Sequence, residues 1–197
     1  MPKLGMEPLR REALIQATIT EVGQAGGLDV TVSQIARRAG MSPALAHHYF
    51  GTKDFIFLAA MRRILGDFGL SVRAKRQTAT TPRARIEAII EASFGADQYE
   101  RAITVAWLVF YVEAQRSDEA ARLLHVYLRR LNSNLLYDLK RLVDGKAARR
   151  IAQGIAALID GIYLRQAHRH GQITRLEAKA MLFDYLTQSL RFSDEGV

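Results

Sequence analysis

A chain of 197 residues, 49% of them apolar, can bury a sizeable core, and its lack of cysteine excludes disulfides, thiolate metal sites and thiol nucleophiles. Residues 1–76 carry 11 basic and 6 acidic side chains, a net +5 of the total +8, so an anionic partner is expected at that end, nucleic acid before membrane. No apolar run reaches the ~18–20 residues that cross a bilayer, and charge comes too early in MPKLGMEPLRRE for a secretory leader, so a cytoplasmic chain without a membrane partner is expected.

Apolar residues recur at spacings of three and four, with no long alternating stretch, which predicts an all-α chain of about nine helices. Leu9, Ala13, Leu14, Ala17 and Val22 form one face of the first helix, and Gly26-Gly27 ends it. A second helix runs from Val32 to Ala39, with Thr31 as its cap and Gln34 in capping-box position. The third starts after Ser42 with Pro43 at its first position, and the fourth runs from Lys53 to about Arg76. The polar, basic stretch RAKRQTATTPRAR, 73–85, reads as a connection between two domains, residues 1–53 and 54–197, with helix 53–76 joining them. Amphipathic segments follow near 83–95, 101–115, 118–142, 146–169 and 175–191, with breaks at Gly95, Ser117, Gly145 and Gly171.

Residues 31–50, TVSQIARRAGMSPALAHHYF, have the build of a helix-turn-helix. Gly40 supplies the left-handed position of a tight turn. Ile35, Ala36 and Ala39 should face inward on the first helix, and Ala46 and Phe50 should pack back from the second. Ala44, Leu45, His47 and Tyr49 are left at or near the outer surface, while His48 is mostly turned inward. Small residues at a helix start allow close approach to a DNA groove, and rings with polar tips suit phosphates and base edges. Lys53 can bond a phosphate as a point charge.

The stretch TVSQIARRAGMSPALAHHYFGTKDFIF resembles the N-terminal domain of the TetR repressors. The resemblance implies a DNA-binding domain of three helices plus the start of a fourth, and a second domain that binds a small molecule and dimerises. Carried over position by position, the DNA-facing sites fall on Thr31, Ser33, Ser42, Pro43, Ala44, Leu45, His47, Tyr49 and Lys53. His47 departs from the tyrosine often found there. Ser33 and Leu45 make no bidentate base contact, so base reading leans on apolar contact and DNA shape. MPKLGM at the start, AWLVFY at 106–111, LNSNLLYDL at 131–139 and AALIDGIYLR at 156–165 are similar to the BetI-type members of that family, which control glycine betaine synthesis from choline. The resemblance implies a choline-like effector and no cofactor. Tyr163 stands where tryptophan is common in such relatives, leaving room for a bulkier cation.

The residues permit that chemistry independently. A quaternary ammonium donates no conventional hydrogen bond, so aromatic faces and a negative charge must hold it. Trp107, Phe110 and Tyr111 share one side of a helix at i, i+3, i+4, and Asp160 and Tyr163 lie at i, i+3 on another. The same stripe could equally be core, and Asp160 could pair with Arg165. Glu113 is a spare acid on a different face. No metal site is expected: His47 and His48 point about 100° apart, and His168 and His170 about 200° apart.

Helix 146–169 carries the small residues Gly154, Ala156, Ala157 and Gly161 beside Ile151, Ile155, Leu158, Ile159 and Ile162. With Met181, Leu182, Leu186 and Leu190 of the next helix, they are expected to form a four-helix homodimer interface. The leading expectation is a homodimeric repressor of a palindromic operator, released by a small cation and not an enzyme. A repressor answering a different hydrophobic or cationic ligand and a sequence-indifferent DNA-binding protein are the alternatives. An enzyme acting on choline has no metal set, phosphate loop or Ser-His-Asp order to support it.

Overall fold

Residues 5–168 and 173–194 are described by a computed structural model, and among them the chain forms nine helices and no strand. In chain order they are α1 (Met6–Ala25), α2 (Val32–Arg38), α3 (Pro43–Phe50), α4 (Lys53–Thr78), α5 (Pro82–Ser93), α6 (Arg101–Glu113), α7 (Asp118–Leu139), α8 (Gly145–Ala167) and α9 (Arg175–Asp194). The first three, closed by the start of α4, make a small head; α5 to α9 and the rest of α4 make the larger bundle.

Local chemistry sets the boundaries of the head. Gly26, at φ 75°, ends α1. Thr31 and Gln34 form the expected capping box: the Gln34 amide donates to Thr31 Oγ1 at 3.1 Å, and the Thr31 amide donates to Gln34 Oε1 at 2.7 Å. Gly40 makes the turn at φ 68°, where a Cβ would be strained, and Ser42 with Pro43 opens α3. Leu14, Val22, Ile35, Ala36 and Ala46 are buried together. Of the apolar face of α1, Leu14, Ala17 and Val22 are buried while Leu9, in the first turn, is 64% exposed.

The stretch 73–85 is not a linker. Helix α4 continues to Thr78 and α5 starts at Pro82, leaving only three residues between them. Basic residues in the last turn of α4 suit its partial negative charge, and Thr81 caps α5 by accepting from the Ala84 amide at 3.1 Å. Asp138 of α7 explains why the two ends stay together. It is fully buried, 2.6 Å from Arg76 of α4 and 3.7 Å from Arg85 of α5. Likewise Gly145 does not break the chain but opens α8, capped by Asp144; Gly171 lies outside the described residues.

Two glycines mark close helix approaches. A Cβ on Gly23 of α1 would lie 2.6 Å from Cα and Cβ of Ala102 on α6. One on Gly154 of α8 would lie 1.8 Å from the Tyr185 hydroxyl of α9. Gly154 therefore serves the fit between α8 and α9 within one chain, not an approach by a second copy. Ile151, Ile155, Ile159, Ile162, Leu182 and Leu186 are also buried in the single chain. What α8 and α9 leave exposed is a different apolar set: Leu164, Leu176, Met181 and Phe192, beside exposed Ala157. The spacing had assigned too much of both helices to a partner, because each already buries one full side internally.

Candidate functional site

The outer edge of the head presents Thr31, Ser33, Ser42, Pro43, Ala44 and His47 as exposed side chains, with Leu45 half-buried. All lie at the starts of α2 and α3 or one turn in, so backbone amides and short side chains face the same way. His47 Nδ1 donates to the Gly51 carbonyl at 2.5 Å. Its Nε2 then accepts in the neutral ring, and only the imidazolium donates to a phosphate through it. Tyr49 is half-buried against the core, so its ring is part wall and part surface. Arg11 of α1 fixes the end of α3, donating to the Tyr49 carbonyl at 3.0 Å with its guanidinium 4.5 Å over the Phe50 ring.

Two expectations about this edge need correction. His48 is exposed, not turned inward; its ring stands 5.5 Å from that of Tyr49, and Ala46 is the one fully buried residue of α3. Lys53 is not a free point charge. Its ammonium donates to the Leu28 carbonyl at 2.8 Å, tying the start of α4 to the α1–α2 loop and leaving two further protons for another acceptor.

In the bundle, Trp107 and Tyr111 of α6 meet Asp160 and Tyr163 of α8 at a cleft of about 20 Å³, room for about one water. Phe68 of α4 and Tyr127 of α7 add two more rings, and Ser93, Gln98 and Ile159 complete its walls. Tyr127 stands closest to the tryptophan, with ring centroids 4.7 Å apart, and Tyr163 meets it edge-on at 6.2 Å. Phe110, expected among the lining rings, is not there. It is fully buried beside Trp107, edge to face at 6.0 Å, and supports that ring from the core.

Asp160 is the one acidic group among these lining residues, and no basic side chain joins it. Tyr111 donates its hydroxyl to Oδ1 at 2.9 Å. Arg165, the alternative partner, is exposed and makes no ion pair with it. Burial pushes the Asp160 carboxyl above its ordinary range, only partly offset by the Tyr111 hydrogen bond. Burial also raises the Tyr111 and Tyr127 phenols, with Asp160 adding to both shifts. The Tyr163 hydroxyl donates to the Ser93 carbonyl at 2.5 Å, so only its ring faces the cleft. The Trp107 indole N–H is buried without an acceptor. The cleft therefore combines aromatic faces, an uncompensated carboxylate and an unused donor.

Sequence spacing found four of these residues and missed Phe68 and Tyr127, along with Ser93, Gln98 and Ile159, which come to the cleft only through helix packing. Glu113 does not line the cleft. Among the described residues no three His, Asp or Glu side chains gather to hold a metal, and His170 lies outside them. No described helix is long and apolar enough to cross a membrane.

Residues 82–191 match the model of the BetI-type transcriptional repressor C-terminal domain, and residues 14–60 that of the bacterial regulatory proteins of the tetR family. The chain belongs to the TetR family. It is a DNA-binding transcriptional regulator with a BetI-type C-terminal domain, and its relatives are regulators, not enzymes. It is 48% identical over 196 residues to the HTH-type transcriptional regulator BetI of Rhizobium meliloti, covering 100% of this chain and 97% of that one. Against the BetI regulator of Brucella melitensis it is 50% identical over 190 residues, 96% of each chain. In fold, this TetR-family chain is similar to a transcriptional regulator from Rhodococcus, with a TM-score of 0.81, 21% identity and coverage of 93% and 97%. A regulator from Saccharomonospora viridis, solved in complex with choline, is similar with a TM-score of 0.76, 20% identity and coverage of 90% and 95%.

Proposed function

We propose that the chain is a homodimeric repressor of betaine and choline metabolism genes in the cytoplasm, binding a palindromic operator and answering choline or a related quaternary amine. The observation that carries the effector class is Asp160: a half-buried carboxylate amid Trp107, Tyr111, Tyr127 and Tyr163 with no cation beside it. A quaternary ammonium supplies the missing charge without needing a hydrogen-bond acceptor, and each ring face adds ~0.5–2 kcal/mol. The unused Trp107 N–H suits an oxygen at the other end of such a ligand. The names of the BetI relatives and the choline complex of the Saccharomonospora protein support the same reading.

On DNA, Thr31, Ser33, Ser42, Pro43, Ala44 and Leu45 approach the groove, with His47, Tyr49 and Lys53 at the phosphates. Two such edges must lie about 34–36 Å apart, one turn of the duplex. The dimer forms through the apolar remainder of α8 and α9, around Leu164, Leu176, Met181 and Phe192. The cleft is too small to admit choline as it stands, so binding spreads α4, α6 and α8 apart. Helix α4 continues directly from the head, and the N-terminal end of α6 touches α1 where Gly23 meets Ala102, so both carry the movement to the spacing of the two edges. A shift of ~1–3 kcal/mol between the two states is enough to regulate.

The test is fluorescence anisotropy of the intact protein on DNA from its own upstream region, with and without choline, against an excess of unrelated duplex. A specific complex that choline alters supports the reading. Equal competition by unrelated DNA sinks it and favours a sequence-indifferent binder. A specific complex that choline, betaine aldehyde and acetylcholine all leave unchanged points instead to a repressor with another ligand.

A further inference from the structure

Outside the closed cleft lies a much larger groove of about 820 Å³, bounded by α4, α5 and α7. Its lining includes Arg62, Arg73, Arg76, Arg85 and Arg130, and no aspartate or glutamate. Counter-charges reach it only from behind: Glu119 pairs with Arg62, and the single carboxylate of Asp138 serves both Arg76 and Arg85. Arg73 and Arg130 are exposed and have no ion-pair partner among the described residues. Arg76 Nε is buried in the same wall and has no acceptor. Between these cations the lining is apolar, formed by Leu65, Val72, Ile89, Leu123, Val126 and Leu131.

The glycines of α4 sharpen the picture. Gly66 and Gly69 lie within the helix, where glycine is disfavoured, yet a Cβ at either would meet nothing within 4 Å. No close contact inside the chain requires them. Both line the groove, and their effect is to leave the α4 backbone bare along it. Phe68 and Tyr127, edge to face at 5.8 Å, line the groove on one side and the aromatic cleft on the other.

We infer that this groove is a second ligand site, separate from the cation cleft, for an organic anion: an apolar body lies along α4 and α7 while a phosphate or carboxylate head is held by Arg73 and Arg130. Guanidinium groups match both heads by paired, charge-assisted hydrogen bonds. A cation is disfavoured by three uncompensated positive charges, and a neutral chain forgoes the head contacts. The inference does not depend on the choline reading, since none of these arginines lines the cleft around Asp160.

The experiment is isothermal titration of the full-length protein with decyl phosphate, decanoate, decanol and decyltrimethylammonium, repeated on the double variant Arg73→Gln, Arg130→Gln. Both substituted positions are exposed, so the fold should persist, as a circular dichroism melt will verify. The expected result is binding of one or both anions in preference to decanol, weakened about tenfold or more in the double variant, while decyltrimethylammonium, which the Asp160 cleft can take, loses no affinity in that variant. The ratio of decyl phosphate to decanoate affinity identifies the head. Binding of decanol as tight as that of the anions, a loss of decyltrimethylammonium affinity parallel to that of the anions in the double variant, anion affinity unchanged within twofold in the double variant, or no anion binding below about 1 mM each overturns the inference. Melting shifts with choline, recorded on the same two proteins, should agree; a choline response lost in the double variant would overturn the claim that the two sites are separate.

Discussion

Replacing Asp160 with Asn removes the charge of the cleft while leaving Tyr111 an acceptor in the same place. A trimethylammonium within the aromatic walls would sit about 5 Å from that carboxylate, and at an effective dielectric near 20 the attraction is roughly 3 kcal/mol. The cleft is incompletely enclosed, so about 2–3 kcal/mol is the better figure, a loss of ~30–150-fold in choline affinity. Stability should move the other way. Burial raises the Asp160 carboxyl, so the fold favours its protonated form. The wild type is therefore most stable relative to Asp160→Asn at low pH and loses ground as pH rises through that raised value. At neutral pH the variant should melt higher than the wild type when both are free of ligand. Choline binding to the wild type follows the opposite slope, strengthening over the same pH range as the carboxylate ionises. Calorimetric titration with choline and melting curves from about pH 4.5 to 8 measure both. Choline affinity in Asp160→Asn within twofold of wild type would refute the assignment of Asp160 as the counter-charge.

Trp107→Ala should lower choline affinity while operator binding of the free protein persists; unchanged choline affinity would remove the cage. Tyr49→Ala should weaken operator binding in anisotropy titrations and leave the choline-induced melting shift intact, and loss of both would make the residue structural. Asp138→Ala leaves Arg76 without its buried partner and should cost about 2–4 kcal/mol in urea unfolding, below the full penalty of a buried pair because both arginines keep some contact with water. Gly154→Ala forces Tyr185 to move and should destabilise by about 1–3 kcal/mol, whereas Gly161→Ala has open space in the single chain and should disturb only self-association, read by sedimentation.

The head was almost fully legible in the sequence, because its boundaries are local chemistry. Thr31 with Gln34, Gly40, and Ser42 with Pro43 each act within four residues. The linker was misread for the opposite reason: what ties the end of α4 to the start of α5 is Asp138, more than fifty residues away. The cleft shows the same division. Trp107 with Tyr111 and Asp160 with Tyr163 are pairs on single helices and could be found by spacing. Phe68 and Tyr127 join them only through the way four helices pack, and Phe110, about 100° around α6 from Tyr111, faces the core. How much of α8 and α9 remains for a partner was not legible, since counting apolar residues on α8 does not say how many of them α9 and α6 already cover.

The contact between Gly23 and Ala102 has a bearing on protein engineering. It is a seam between the helix-turn-helix head and the C-terminal bundle, and it tolerates no side chain on the α1 side. A hybrid regulator grafting this bundle onto a foreign head will inherit the fit only if the incoming first helix also carries glycine at that position. With alanine there, the two halves will meet at an altered angle, and such a hybrid should fold yet couple its bundle poorly to its DNA-reading edge.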